Sequence, residues 1–234
     1  MRALRLFLAL VLGLTMVIPG AEMASAGTGG WCQGLYTGAP VLDLLGDSQT
    51  ASGSVSAEDQ RWPSVLGASL QSDGAPGTQV WVGGAIAGSA TADYLPGAKY
   101  SDHIEFTSHQ PNLITLGWGT NDWAGGVPVE TFRAQYQTII DRIRALSSGS
   151  TVVIIHMPWV YNEELTSTRA PQADYLNVEK DLARDNGLKF FGSEFYFPGN
   201  DPYSFKSPPD QVHMTALGQW VFYSAFRSFL LGMC

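Results

Sequence analysis

Five short strand-like runs, each stopped by a turn and each followed by chain of a different pattern, constrain this fold more than any other feature. The run Val152-Val153-Ile154-Ile155 is apolar throughout rather than alternating, so both faces of that strand must be covered. Val41, Leu42, Leu44 and Leu45 form a similar run that stops at Gly46-Asp47-Ser48. Gln79 to Val82 reads as a strand broken by Gly83-Gly84. Asn112 to Leu116 reads as one ending in Gly117-Trp118-Gly119-Thr120-Asn121-Asp122, and Leu188 to Phe191 as the last.

The intervening chain is helical in pattern. Ser56 is placed to cap a helix opening at Ala57-Glu58-Asp59, with Val65, Leu66 and Leu70 on one side and Pro63 as a kink or restart. From Val129, the residues Phe132, Tyr136, Ile139, Ile140, Ile143 and Leu146 recur at three- and four-residue steps. Further helices are predicted from about Pro171 to Asn186 and from about Thr215 to Leu231. Strands buried on both faces and alternating with helices predict an α/β protein with a parallel sheet.

Composition agrees. At 45% hydrophobic and 15% charged residues the chain is neither disordered nor fibrous, and its 26 Gly and 13 Pro follow no collagen-like triplet. A length of 234 residues suits one hydrophobic core. With 13 Lys+Arg against 21 Asp+Glu, a net charge of -8 offers nothing to a phosphate backbone or an anionic membrane surface. Nucleic acid and stable membrane insertion are therefore excluded as expectations.

The first segment reads as an address. Arg2 and Arg5 precede an apolar run from Leu6 to Ile18, then Pro19-Gly20 and the small residues Ala24-Ser25-Ala26. This is the layout of a secretory signal cleaved after Ala26, and the run is too short to span a bilayer. Residues 1–26 are thus expected to be a leader, and 27–234 a single secreted domain. The two cysteines, Cys32 and Cys234, are expected to pair in an exported chain, the alternative being two thiols on frayed ends. No His or Cys stands at metal-ligand spacing from either.

In parallel α/β sheets, sites form beyond the carboxyl ends of the strands, and unusual residues collect at those ends here. A serine hydroxyl needs an adjacent base to become a nucleophile. Imidazole suits that role, and a carboxylate then fixes its tautomer. Ser48, His213 and Asp210 make a self-consistent set if the last loop folds over the first strand. The developing oxyanion needs fixed donors, for which the Ser48 amide, an amide in the Gly83–Gly88 turn and the Asn121 side chain are candidates. Each piece has a bland reading on its own. Gly-Asp-Ser is a common turn, Asn121-Asp122 a usual turn pair, and Asp210 a possible cap beside a surface histidine.

Taken in order, the pieces resemble the SGNH hydrolases, the GDSL-type esterases and lipases. Gly46-Asp47-Ser48 matches the first block, and Gly119-Thr120-Asn121-Asp122 the third. Asp210 to His213 matches the Asp-x-x-His block. The second-block glycine matches best at Gly88, with Gly84 as the fallback. Departures are Gln49 where leucine is common, Met214 where proline is frequent, and a second block without its usual Asn.

The resemblance implies a three-layer α/β/α sandwich around a five-stranded parallel sheet, of flavodoxin-like type, with no metal or organic cofactor; a monomer is expected. It implies Ser48 as nucleophile, His213 as base, Asp210 as its orienting carboxylate, and Ser48 N–H, Gly88 N–H and Asn121 as oxyanion donors. The implied reaction is ester hydrolysis through an acyl-enzyme, on a small-molecule, lipid or acylated-carbohydrate ester. A carbohydrate deacetylase on the same residues is the second reading, and a binding module on a retired hydrolase fold the third.

The remaining histidines read differently. His156 is expected to pack or line a pocket, His103 and His109 to lie on the surface. Trp118, Trp123, Trp159 and Tyr161 fall on the expected active edge, either as a pocket or as ordinary core. The aromatic stretch from Ser193 to Pro209 is expected to border the cleft.

Overall fold

The computed structural model describes residues 30–52, 55–105, 109–158, 160, 169–197 and 211–234. Its frame is a sheet of β1 (Val41–Gly46), β2 (Gln79–Trp81), β3 (Leu113–Gly117), β4 (Thr151–His156) and β5 (Lys189–Gly192), all parallel, in the order β2-β1-β3-β4-β5. The expected strands are all found, within a residue or so at each end. The order reverses after β1, which puts the switch point where β1 and β3 end side by side, Gly46 opposite Gly117.

Helices cover both faces, as strands buried throughout require. On one face, Leu45, Ile114, Leu116, Val152 and Ile154 pack against α5 (Val129–Leu146) and α6 (Gln172–Asp185) through Phe132, Tyr136, Ile140, Tyr175 and Leu182. On the other, Leu42, Leu44, Val153, Ile155 and Phe191 pack against α1 (Trp31–Tyr36), α3 (Trp62–Ser72) and α7 (Ala216–Leu231). Successive residues of one strand thus feed opposite cores, the period-two geometry of a strand. Two short helices, α2 (Ser48–Ala51) and α4 (Thr120–Ala124), follow β1 and β3 directly.

One local expectation is corrected, at Ser56, and one left open between two readings is decided, at Pro63. Ser56 caps nothing: a 3-10 turn spans Glu58–Gln60 with Ala57 at its start. The helix itself begins at Trp62, with Pro63 in its first turn, where a missing N–H costs nothing. Pro63 therefore opens α3 rather than kinking it.

Cys32 and Cys234 are joined, their Cα atoms 5.4 Å apart. The union is supported by Trp31, whose indole Nε1 donates to Leu230 O at 2.9 Å, and whose own N–H donates to Thr151 Oγ1 at 3.1 Å. Thr151 opens β4, so the linked ends lie at the amino edge of the sheet, away from the strand ends that carry the motifs. Among the described residues no helix is long and apolar enough to cross a membrane.

Candidate active site

The end of β1 is shaped by close approach. A Cβ on Gly46 would lie 2.3 Å from Thr50 Oγ1 and 2.6 Å from Gly117 O, so only glycine lets the chain turn there. Asp47 then caps α2, its Oδ1 accepting from Gln49 N at 2.8 Å. The first helical residue is Ser48, half-buried at the switch point. His213 reaches it from the loop before α7, with Nε2 2.8 Å from Ser48 Oγ. That loop is fastened twice. Gln49 Nε2 donates to Val212 O at 2.9 Å, and Thr215 caps α7 by accepting from Gly218 N at 3.1 Å. Gln49, a departure from the family pattern on sequence grounds, here ties α2 to the histidine loop. Asp210 lies outside the described residues.

The turn after β2 is clamped to the end of β1. Ile86 N donates to Gly46 O at 3.0 Å, and the Tyr94 hydroxyl lies 2.9 Å from Gly84 O and 3.2 Å from Gly46 O. Ser89 Oγ adds a bond to Ile86 O at 2.8 Å. Gly88 sits on this turn at φ +79°, with open space where a Cβ would be, and faces the same cleft as Ser48 and His213. Gly84 does not: it is buried, and a Cβ there would meet Leu45 Cδ2 at 2.2 Å. The structure brings Gly88, not the fallback, to Ser48.

The third strand delivers Asn121 on the first turn of α4. Its Nδ2 donates to Ser89 O at 2.9 Å, which leaves one of the two amide hydrogens for the cleft. The next residue, Asp122, is fully buried and braces both turns: its carboxylate accepts from Thr91 N at 3.2 Å and lies 2.6 Å from Thr91 Oγ1. Burial pushes the Asp122 carboxyl up, partly offset by those Thr91 bonds. Ser48, Gly88, Asn121 and His213 thus line one cleft of about 340 Å³ together with Thr120, Trp123 and Val160. A hydroxyl beside an imidazole, next to N–H donors, can transfer an acyl group.

The other histidines divide. His103 is exposed, as expected, with Nδ1 2.8 Å from Gly83 O. His109 is not a surface residue. It is half-buried, stacked on Trp81 with ring centroids 4.6 Å apart, and its Nε2 lies 2.8 Å from Asp43 Oδ2. Burial pushes the Asp43 carboxyl up against the pull of that contact. His156 lines a pocket, as expected, in contact with Glu179, a residue that no local pattern singles out. Trp118 is core on one side and pocket wall on the other, and Trp123 lines the cleft. Trp159, Tyr161, Tyr203 and Phe205 lie outside the described residues. Among the described residues no three His, Cys, Asp or Glu gather to hold a metal ion.

The comparisons follow the same residues. The model of the GDSL-like lipase/acylhydrolase family matches residues 44–221. The chain belongs to that family. Solved structures with the same fold include a catalytic mutant of an acetylxylan esterase from Geobacillus stearothermophilus, 17% identical with a TM-score of 0.66 over 82% of this chain and 94% of that one. A lipase/acylhydrolase from Enterococcus faecalis is 20% identical, with a TM-score of 0.62 over 83% and 96%. No curated protein matches the chain. Family and neighbours together support a hydrolase with the five-stranded SGNH fold.

Proposed function

We propose that the protein is a secreted serine esterase that hydrolyses carboxylic esters through an acyl-enzyme on Ser48. The observation that carries this reading is the 2.8 Å contact between Ser48 Oγ and His213 Nε2, at the mouth of a cleft that also presents Gly88 and Asn121. Ser48 Oγ attacks the ester carbonyl as His213 takes its proton. The Ser48 and Gly88 amides and the Asn121 carboxamide receive the oxyanion. His213 then protonates the leaving alcohol, and a water repeats the cycle on the acyl-enzyme. Asp210, three residues before the histidine, is assigned to hold the ring. The leader of residues 1–26 and a single domain over 27–234 complete the proposal, supported by the disulfide.

The cleft favours short or water-soluble esters. Polymer-borne acetyl groups are the second reading, favoured by the fold shared with an acetylxylan esterase. Covalent labelling with a fluorophosphonate, followed by peptide mass spectrometry, tests the core of the proposal: the label is expected on Ser48 and absent from Ser48→Ala. A label on any other residue, or unchanged hydrolysis by Ser48→Ala, refutes it. Nitrophenyl esters of increasing chain length, run beside acetylated xylan, separate the two substrate readings.

A further inference from the structure

Behind the cleft lies a second, smaller space with room for about 20 Å³, enough for one water-sized group. Thr120, Trp123 and Val160 face both this chamber and the cleft. Its lining includes Glu179, 1% exposed, with Oε2 2.6 Å from His156 Nδ1. Burial pushes the Glu179 carboxyl up against the pull of His156. The second oxygen, Oε1, takes no hydrogen bond from any described residue. It lies beside Gly119, where a Cβ would approach it to 2.9 Å.

Two neighbouring polar side chains are already engaged. The Gln172 amide bonds both the N–H and the C=O of Val160, each at 2.8 Å, and the Tyr175 hydroxyl donates to Val127 O. Trp118 Nε1, buried on the same lining, has no hydrogen-bond partner among the described residues, so a single hydroxyl here has both an acceptor, Glu179 Oε1, and a donor to meet.

The direction of the acyl group follows from the tetrahedral carbon. Its leaving oxygen must lie at His213 Nε2 and its oxyanion at Gly88 and Asn121. The remaining substituent, the acyl chain, is left to the rest of the cleft lining, of which Thr120, Trp123 and Val160 also line the chamber.

We propose that the chamber is a recognition subsite for a hydroxyl group at the far end of a short acyl chain, donated to Glu179 Oε1. The enzyme then selects short hydroxyacyl esters over plain acyl esters of equal length. This rests on the acyl-transfer reading above. A methyl group in the same place leaves Oε1 without a donor, and sites built to bond a hydroxyl reject analogues that lack it.

The test is a ratio. Glycolyl and 3-hydroxypropanoyl nitrophenyl esters are compared with acetyl and propanoyl ones, each rate normalised to that ester's own alkaline hydrolysis. Wild type is expected to show kcat/KM at least about tenfold higher for the hydroxylated member of each pair. The ratio is expected to fall toward one in Glu179→Leu, which removes the acceptor. It is also expected to fall in Val160→Phe, which enlarges a side chain common to both spaces and leaves the His156–Glu179 pair in place should the first variant fail to fold. A wild-type ratio near one overturns the inference, leaving the chamber as the seat of a buried water. A high ratio that survives in a folded variant overturns it too. If wild type hydrolyses none of the four esters, the esterase reading has failed. The subsite is then decided by calorimetric titration with glycolamide against acetamide. Tighter binding of glycolamide that is lost in Glu179→Leu supports the subsite, and equal binding refutes it.

Discussion

Asn121→Ala is expected to lower kcat on a short nitrophenyl ester by about a hundredfold to a thousandfold. The Asn121 amide nitrogen carries two hydrogens. One is committed to Ser89 O at 2.9 Å, which fixes the plane of the carboxamide before any substrate arrives. The other is left to meet charge that exists only once the carbonyl has been attacked. Loss of one such preorganised donor costs about 3 to 4 kcal/mol of barrier. Because the bond forms in the transition state, kcat and kcat/KM are expected to fall together, with KM little changed. The folding cost is smaller, about 1 kcal/mol for one neutral hydrogen bond at a half-buried site. Steady-state kinetics and calorimetric melting on the same preparation separate the two effects. A folded Asn121→Ala enzyme within about fivefold of wild type would remove Asn121 from the oxyanion hole. A kinetic loss matched by an equally large loss of stability would reduce it to a strut for the Ser89 turn.

Three further outcomes follow from the packing. Asp122 has its carboxyl raised by burial above its ordinary value of 3.8, so its contribution to stability is complete below about pH 4 and is lost as pH rises through the folded-state value. Denaturant titrations from acid to neutral pH should therefore show wild type losing stability relative to Asp122→Asn; a constant difference refutes the raised value. Replacing both Cys32 and Cys234 by Ser removes a closure of sequence separation 202, worth at most about 5 kcal/mol and about 10 to 20 °C in Tm. Activity at 25 °C should be unchanged, because the bond lies at the amino edge of the sheet, and a loss of activity in folded protein would contradict that placement. Gly84→Ala sets a Cβ 2.2 Å from Leu45 Cδ2 and should cost about 1 to 3 kcal/mol by overpacking. A melting temperature within a degree of wild type would show that Leu45 gives way freely.

The strands, the long helices and the cleft-lining motif residues were all legible in the chain, because each leaves a local mark: an apolar run, a 3.6-residue period, or a turn at a strand end. What escaped lies in long-range contacts. Gln49 bonds Val212 across 163 positions, and His109 meets Asp43 across 66; neither pairing disturbs the pattern around either residue. His109 stands in a polar stretch, so it read as surface, yet the fold lays it on Trp81. Tyr94 and Asp122, which hold the two donor turns together, work by the same distant bonding. Ser56 misled for the opposite reason, a good local cap signal in a segment where Trp62, packed 4.9 Å from Phe222, sets the start of the helix instead. α1, at six residues, is too short to show a period at all.

The bond between Cys32 and Cys234 turns nearly the whole chain into a covalent ring. A protease that cuts that ring once opens a loop but frees no fragment, since the two pieces stay joined through sulfur. Only a second cut, or a reductant, lets material leave. Where reductants are scarce, a nicked molecule of this kind keeps all its parts within reach of one another, and with them the means to close up again around the same serine and histidine.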